Sequence, residues 1–161
     1  MKTLFILRHA QAEDPYLHDN DFDRDLTHQG ASKAVRVGKQ LAAEGLFPEL
    51  IIASPAVRTR RTAELLAEQL ALSASVSLYD GLYNSSLRLL VEFIAQLSPQ
   101  YSKVMLVGHN PGVSYLAQWL TGNYDIGVMS TCSLAHVVLN IEHWNQVQQK
   151  CGTLVSYRSF E

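Results

Sequence analysis

The chain has 161 residues, of which 47% are apolar and 17% charged, with a formal charge of −2. This length suits a single domain, residues 1–161, and is short for two, and the composition is that of a folded globular protein rather than a disordered one. The near-neutral balance removes any general electrostatic reason to bind nucleic acid or an anionic membrane, so a basic site has to be local.

Residues 4–7 form an unbroken apolar run, too short for a helix and without the alternation of a one-sided sheet, which predicts a buried parallel strand. A connection of about sixteen residues, 10–25, follows; it is long for a compact domain and crowded with Glu13, Asp14, Asp19, Asp21, Asp23 and Asp25, with Arg24 as its arginine. Helical periodicity then runs through Ala31, Ala34, Val35, Gly38, Leu41 and Ala42, with Thr27 as the expected N-cap and Gly45 as the stop. Residues 50–53 predict a second buried strand, and Ser54-Pro55 an N-cap and first turn for a helix carrying Ala63, Leu66, Ala67 and Leu70. A third helix is expected on Leu87, Leu90, Val91, Ile94 and Leu97. Residues 104–107 predict a third buried strand, and a fourth helix is expected from Asn110-Pro111 through Val113, Leu116, Ala117 and Leu120. The tail reads as two strands, 133–140 and 147–157, joined by a turn near 143–146 as a hairpin added to the sheet. Strand and helix alternate, which makes the class α/β.

Cys132 and Cys151 are too few for a disulfide framework and lack paired metal spacing, which points to packing roles and a reducing compartment. The Met1-Lys2 start has no cleavage-site pattern and no run reaches bilayer length, so a cytoplasmic protein is expected.

In open α/β sheets, ligands bind beyond the carboxyl ends of the strands. Here those ends carry Arg8-His9, Gly108-His109 and, just past the second strand, Arg58. Arg58 falls early in its helix, where the macrodipole disfavours a cation and where a bound anion would reverse that penalty. Phosphate is the natural anion, since a planar guanidinium grips two of its oxygens, and Arg8 with Arg58 could orient a dianion. Two histidines beside such a group suggest chemistry, one attacking and the other stabilising charge, without deciding which. Arg24 reads equally as a further phosphate contact or as a salt-bridge partner of the neighbouring aspartates. Arg60 and Arg61 read as a solvated helix face, His18, His28 and His143 as surface or turn residues, and Phe93, Trp119 and Trp144 as core. The Asp19, Asp21, Asp23 alternation fails as a calcium loop, because Arg24 stands where glycine is required and Gly30 where the bidentate glutamate belongs. Cys132 with His136 lacks the second pair of a metal site.

Three motifs stand in order: Leu7-Arg8-His9-Ala10, Ser54-Pro55-Ala56-Val57-Arg58-Thr59-Arg60-Arg61-Thr62, and Val107-Gly108-His109-Asn110-Pro111-Gly112. Together they resemble the histidine phosphatase, or phosphoglycerate-mutase-like, superfamily. The short length and Asp23-Arg24-Asp25-Leu26-Thr27 before the first helix are similar to its SixA-like phosphohistidine phosphatase branch. The resemblance implies a three-layer sandwich with a mostly parallel central sheet and helices on both faces. It implies His9 as nucleophile, with Arg8, Arg58 and His109 on the transferring phosphoryl group, Arg24 as an added contact, and no metal or cofactor. The implied partner is a phosphorylated protein, such as a histidine-containing phosphotransfer domain, or a small phosphorylated molecule, with phosphate or sulfate able to sit in the pocket.

Larger members of that superfamily usually carry a glutamate acid after the third strand, whereas Leu78-Tyr79-Asp80-Gly81-Leu82-Tyr83 has none; Asp80 or Glu13 could substitute. A leaving imidazole needs a proton far less than a leaving alkoxide does, so the missing acid favours an N-phosphoryl substrate. A phosphomonoesterase and a non-catalytic phosphoprotein-binding module are the competing expectations.

Overall fold

Successive strand residues point to opposite faces, and β1 (Lys2–Arg8) is apolar on both: Leu4 and Ile6 enter one core, Phe5 and Leu7 another. The same split divides β2 (Leu50–Ala53) and β4 (Lys103–Gly108), so unbroken apolar runs become strands buried on both sides. The first core is closed by α3 (Leu87–Ala95) and α4 (Gly112–Thr121) through Leu90, Ile94, Val113, Leu116 and Leu120. The second is closed by α1 (His28–Ala43) and α2 (Val57–Gln69) through Ala34, Val37, Leu41, Ala63 and Leu66. Fully burying each Leu, Ile or Val contributes about 1.5–3 kcal/mol.

The computed structural model describes residues 1–71 and 76–160. Its sheet also contains β3 (Val76–Leu78), β5 (Leu134–Leu139) and β6 (Gly152–Arg158), in the order β3-β2-β4-β1-β5-β6. The first four strands of that order run parallel, and β5 is antiparallel to both β1 and β6. The expected three-layer α/β sandwich with an added hairpin is therefore the observed architecture. Among the described residues no helix is long and apolar enough to cross a membrane.

Thr27 caps α1 through a bond from the Gly30 amide (2.9 Å). At the other end Gly45, at φ +71, lets Leu46 N reach Leu41 O (2.9 Å) and Gly45 N reach Ala42 O (3.1 Å), closing the helix as expected.

Three boundaries differ from expectation. Ser54-Pro55 lies outside α2, which begins at Val57 with Ala56 at its N-cap and no side-chain cap. Ser54 Oγ instead accepts from Ala56 N (3.2 Å) and Ser54 O accepts from Thr59 Oγ1 (2.8 Å), a turn that delays the helix. Similarly α4 begins at Gly112, because the Asn110 side chain donates to Met129 O (2.8 Å) and accepts from Ser114 Oγ (2.5 Å). The last strand starts at Gly152 rather than 147, since Cys151 N turns back to Gln148 O (3.2 Å) and Lys150 takes φ +60.

Candidate active site

The carboxyl ends of β1 and β4 lie side by side, pairing Arg8 with Gly108, and so deliver His9 and His109 together. Their rings are 5.5 Å apart, centre to centre. His9 N donates to Gly108 O (3.1 Å) and Ala10 N to Thr62 Oγ1 (3.0 Å), which ties the strand end to β4 and α2.

His9 is only 8% exposed. Its Nδ1 lies 2.7 Å from Ala10 O, and since a carbonyl can only accept, Nδ1 carries the proton. Burial, reinforced by Arg58, Arg8 and Arg24, pushes the ring down to about 4 against the opposing pull of the Ala10 bond. The imidazole is therefore neutral near pH 7, with its lone pair on Nε2, the form of histidine that can act as a nucleophile.

His109 is 7% exposed, and its Nε2 lies 2.8 Å from Ser54 Oγ. Burial, then Arg58 and His9, lower its ring to about 3. His109 Nδ1 is buried without a partner among the described residues, and so is Arg8 Nε. Both belong to side chains suited to a phosphoryl oxygen, and buried polar atoms are rarely left unpaired. Arg8 is aimed by its NH1 bond to Met129 O (2.9 Å), and burial followed by the nearby Arg58 charge lowers its basicity.

Arg58 is the second residue of α2 and 4% exposed. The anion that offsets its unfavourable place in the macrodipole is the Asp21 carboxylate, with NH2 at 2.8 Å from Oδ2, while NH1 donates to Asp21 O at 2.8 Å. Arg24 donates from NH1 to Asp21 Oδ1 (2.9 Å) and from Nε to Glu13 O (2.9 Å), and its charge is felt at His9. The salt bridge expected as one of its two roles is thus present.

Of the substitute acids, Glu13 Oε1 is engaged by His18 Nε2 (2.8 Å), and Asp80 is exposed at the start of a short 3-10 turn, Asp80–Leu82. Among the described residues neither bonds to the histidine pair. The residue of that stretch that does reach the site is Tyr83, with its ring edge-on to His109 at 5.5 Å and its hydroxyl donating to Asp21 Oδ2 (2.6 Å). Arg60 and Arg61 are partly exposed on α2, bonded to Glu64 (3.1 Å) and Asp25 (3.0 Å).

Sequence reasoning assembled His9, His109, Arg8, Arg58 and Arg24 but missed four side chains. Ser54 read as a helix cap, whereas its hydroxyl faces His109. Thr62 stands one turn beyond Arg58, with its hydroxyl at 2.7 Å from Arg58 O. Asp21 is one acid among six in its loop, and Tyr83 lies in a stretch where the expected group is a carboxylate. Two glycines set the site loops: a Cβ on Gly30 would overlap Gln11 O outright, and one on Gly112 would meet Ser85 O at 2.5 Å.

Among the described residues no group of three His, Cys, Asp or Glu side chains could hold a metal ion. Cys132 is buried, its thiol pushed up to about 12 by burial, and His136 stacks on Phe5 at 4.7 Å.

The sequence profile of the histidine phosphatase superfamily (branch 1) matches residues 4–87. The chain belongs to that superfamily. An uncharacterised chloroplastic protein of Arabidopsis thaliana is 32% identical over 130 residues, covering 75% of this chain and 60% of the relative, so the match spans less than two thirds of that protein. A 2,3-bisphosphoglycerate-dependent phosphoglycerate mutase of Azorhizobium caulinodans is 36% identical over 87 residues, covering 52% of this chain and 41% of the mutase. Among solved structures, the protein histidine phosphatase SixA complexed with tungstate superposes with a TM-score of 0.82 at 25% identity, covering 98% of this chain and 96% of that one. The fold is shared more distantly with a mycobacterial glucosyl-3-phosphoglycerate phosphatase, at TM-score 0.69 and 18% identity over 96% of this chain and 97% of that one.

Proposed function

We propose that this chain is a phosphohistidine phosphatase acting as one catalytic domain, without a metal, and taking the phosphoryl group from a protein histidine through a phospho-His9 intermediate. The observation that carries this reading is the state of His9: a neutral ring whose Nδ1 proton is engaged by Ala10 O, leaving Nε2 for attack among Arg8, Arg58, Arg24 and His109. In the proposed first step Nε2 attacks phosphorus in line and the substrate nitrogen departs with the bonding pair. Arg8, Arg58 and His109 hold the equatorial oxygens, and water then hydrolyses the phosphoenzyme, returning His9 and inorganic phosphate. The tungstate held by the SixA structure, an oxyanion like phosphate, supports the anion-binding part of the reading.

A nitrogen leaving group fits a site in which neither Glu13 nor Asp80 bonds to the histidine pair. Rapid acid-free quench with a phosphohistidine protein, phosphoramidate and simple phosphomonoesters tests the reading. Expected is an acid-labile phosphoenzyme, absent in His9→Ala, with the N-phosphoryl substrates turned over fastest. Full activity of His9→Ala would sink the mechanism, and faster turnover of simple esters would reassign the enzyme as a phosphomonoesterase.

A further inference from the structure

Asp21 is where three separated segments meet. Its two carboxylate oxygens receive Arg24 NH1 from its own loop, Arg58 NH2 from the first turn of α2, and the Tyr83 hydroxyl from the segment after β3. Its carbonyl receives Arg58 NH1. The next residue continues the attachment: Phe22 O accepts from Val57 N (3.1 Å), an amide of the helix start that lacks a side-chain cap, and the Phe22 ring packs edge-on to Tyr83 at 5.4 Å.

We infer that Asp21 is a positioning residue of the phosphoryl site, a built-in anion that holds the Arg58 and Arg24 guanidiniums in the orientation in which they receive the phosphoryl group. This inference rests on the reading of the pocket as a phosphoryl site. A guanidinium that is 4% exposed and placed in the first turn of a helix is costly without a counter-charge, and Asp21 supplies it before any ligand arrives. One N–H from each terminal nitrogen of Arg58 is spent on Asp21, and a guanidinium retains further donors on the same nitrogens and on Nε. The phosphoryl group therefore does not have to displace Asp21 to be bound.

Burial opposes ionisation of Asp21, but the bonds from Tyr83, Arg24 and Arg58 outweigh it and hold the carboxyl far below the usual carboxylate range. The anion persists at any working pH. The alternative is that Asp21 is a competitor occupying the phosphate's place. A competitor has to leave, yet Asp21 is held on both carboxylate oxygens and on its carbonyl, and the loop is also fastened to α2 through Phe22 O. Prearranging two long cationic side chains removes an entropic cost that the ligand would otherwise meet on binding.

The test is a double-mutant cycle on Asp21→Asn and Arg58→Lys. It is read by calorimetric affinity for inorganic phosphate and by kcat/KM on phosphoramidate. Expected for Asp21→Asn is phosphate binding weakened about tenfold, with kcat/KM falling in similar proportion. In the Arg58→Lys background the same change should cost only about two- to threefold, because the Arg24 fork alone is left to orient. Tyr83→Phe, which removes one bond to Asp21 and no charge, should weaken phosphate binding by about two- to threefold, and it carries the test if Asp21→Asn fails to fold. Unchanged or tighter phosphate binding in Asp21→Asn, or full additivity with Arg58→Lys, overturns the inference. Wild-type protein that binds no phosphate overturns the phosphoryl-site reading together with it. Wild-type binding that is indifferent to Asp21 overturns the positioning role alone.

Discussion

The site has two walls built by different physics. The strand-end wall, His9, His109 and Arg8, is placed by the main chain: β1 and β4 pair in parallel register, His9 N bonds to Gly108 O, and Cys132 N closes onto Arg8 O and His9 O at 3.0 Å. The loop wall, Asp21, Arg24 and Tyr83 against Arg58, is held largely by side chains that meet across long stretches of sequence. A wall fixed by sheet hydrogen bonds moves only if the sheet does. A wall fixed by charged side chains depends on each charge being present. Chemistry that demands sub-ångström aim belongs on the first, and grip on a variable substrate can be left to the second.

The largest effect should separate the walls outright. His9→Ala removes the nitrogen proposed to attack and should lower kcat by ~10⁴-fold or more in steady-state assays, without loss of phosphate binding. His109→Ala, on the same wall but proposed to serve charge rather than attack, should cost about 10²–10³-fold in kcat. Arg24→Ala, on the loop wall, should cost only about tenfold and fall mainly on KM. A loss for Arg24→Ala as large as that for His109→Ala would erase the distinction between the walls.

The strand-end wall also predicts a pH signature. Because burial pushes His9 down to about 4, the acid limb of kcat/KM, corrected for substrate ionisation, should lie near pH 4 rather than near 6.5. Stability follows from the same burial. Between about 4 and 6.5 the unfolded chain binds a proton at this ring that the folded chain does not. The contribution is therefore fully present above 6.5 and is lost as pH falls toward 4, by at most about 1.4 kcal/mol for each pH unit of that interval. Urea midpoints measured from pH 7 to pH 4 should fall, and less steeply in His9→Gln.

The smallest effect concerns the seating of the loop. Gly30→Ala drives a methyl into Gln11 O and should destabilise the fold by about 1–3 kcal/mol, visible as a lowered Tm, with phosphate affinity nearly unchanged while the protein is folded.

Much of the fold was legible because its signals are local. Residues 4–7, 50–53 and 104–107 are apolar on both faces, and that is the mark of strands covered by helices on both sides. Thr27 and Gly45 terminate α1 through bonds spanning a few residues. Two of the three boundary errors came where a local signal had a distant competitor. Ser54 looked like a cap, and its hydroxyl faces His109, fifty-five positions away. Asn110 looked like a helix start, and its amide serves Met129 O, nineteen positions on.

The candidate site divides along the same line. The sequence by itself determined that Arg8, His9, Arg58 and His109 gather at one edge, because a parallel α/β sheet sends the residues after its strands to a common side. Only the tertiary structure decided which nitrogen of His9 is free, that Arg58 already has an anion, and that Tyr83 rather than Glu13 or Asp80 stands beside His109. Those choices rest on hydrogen bonds between residues 37 and 62 positions apart, and on the bond from His9 Nδ1 to the carbonyl of Ala10, geometry that no spacing in a linear chain encodes.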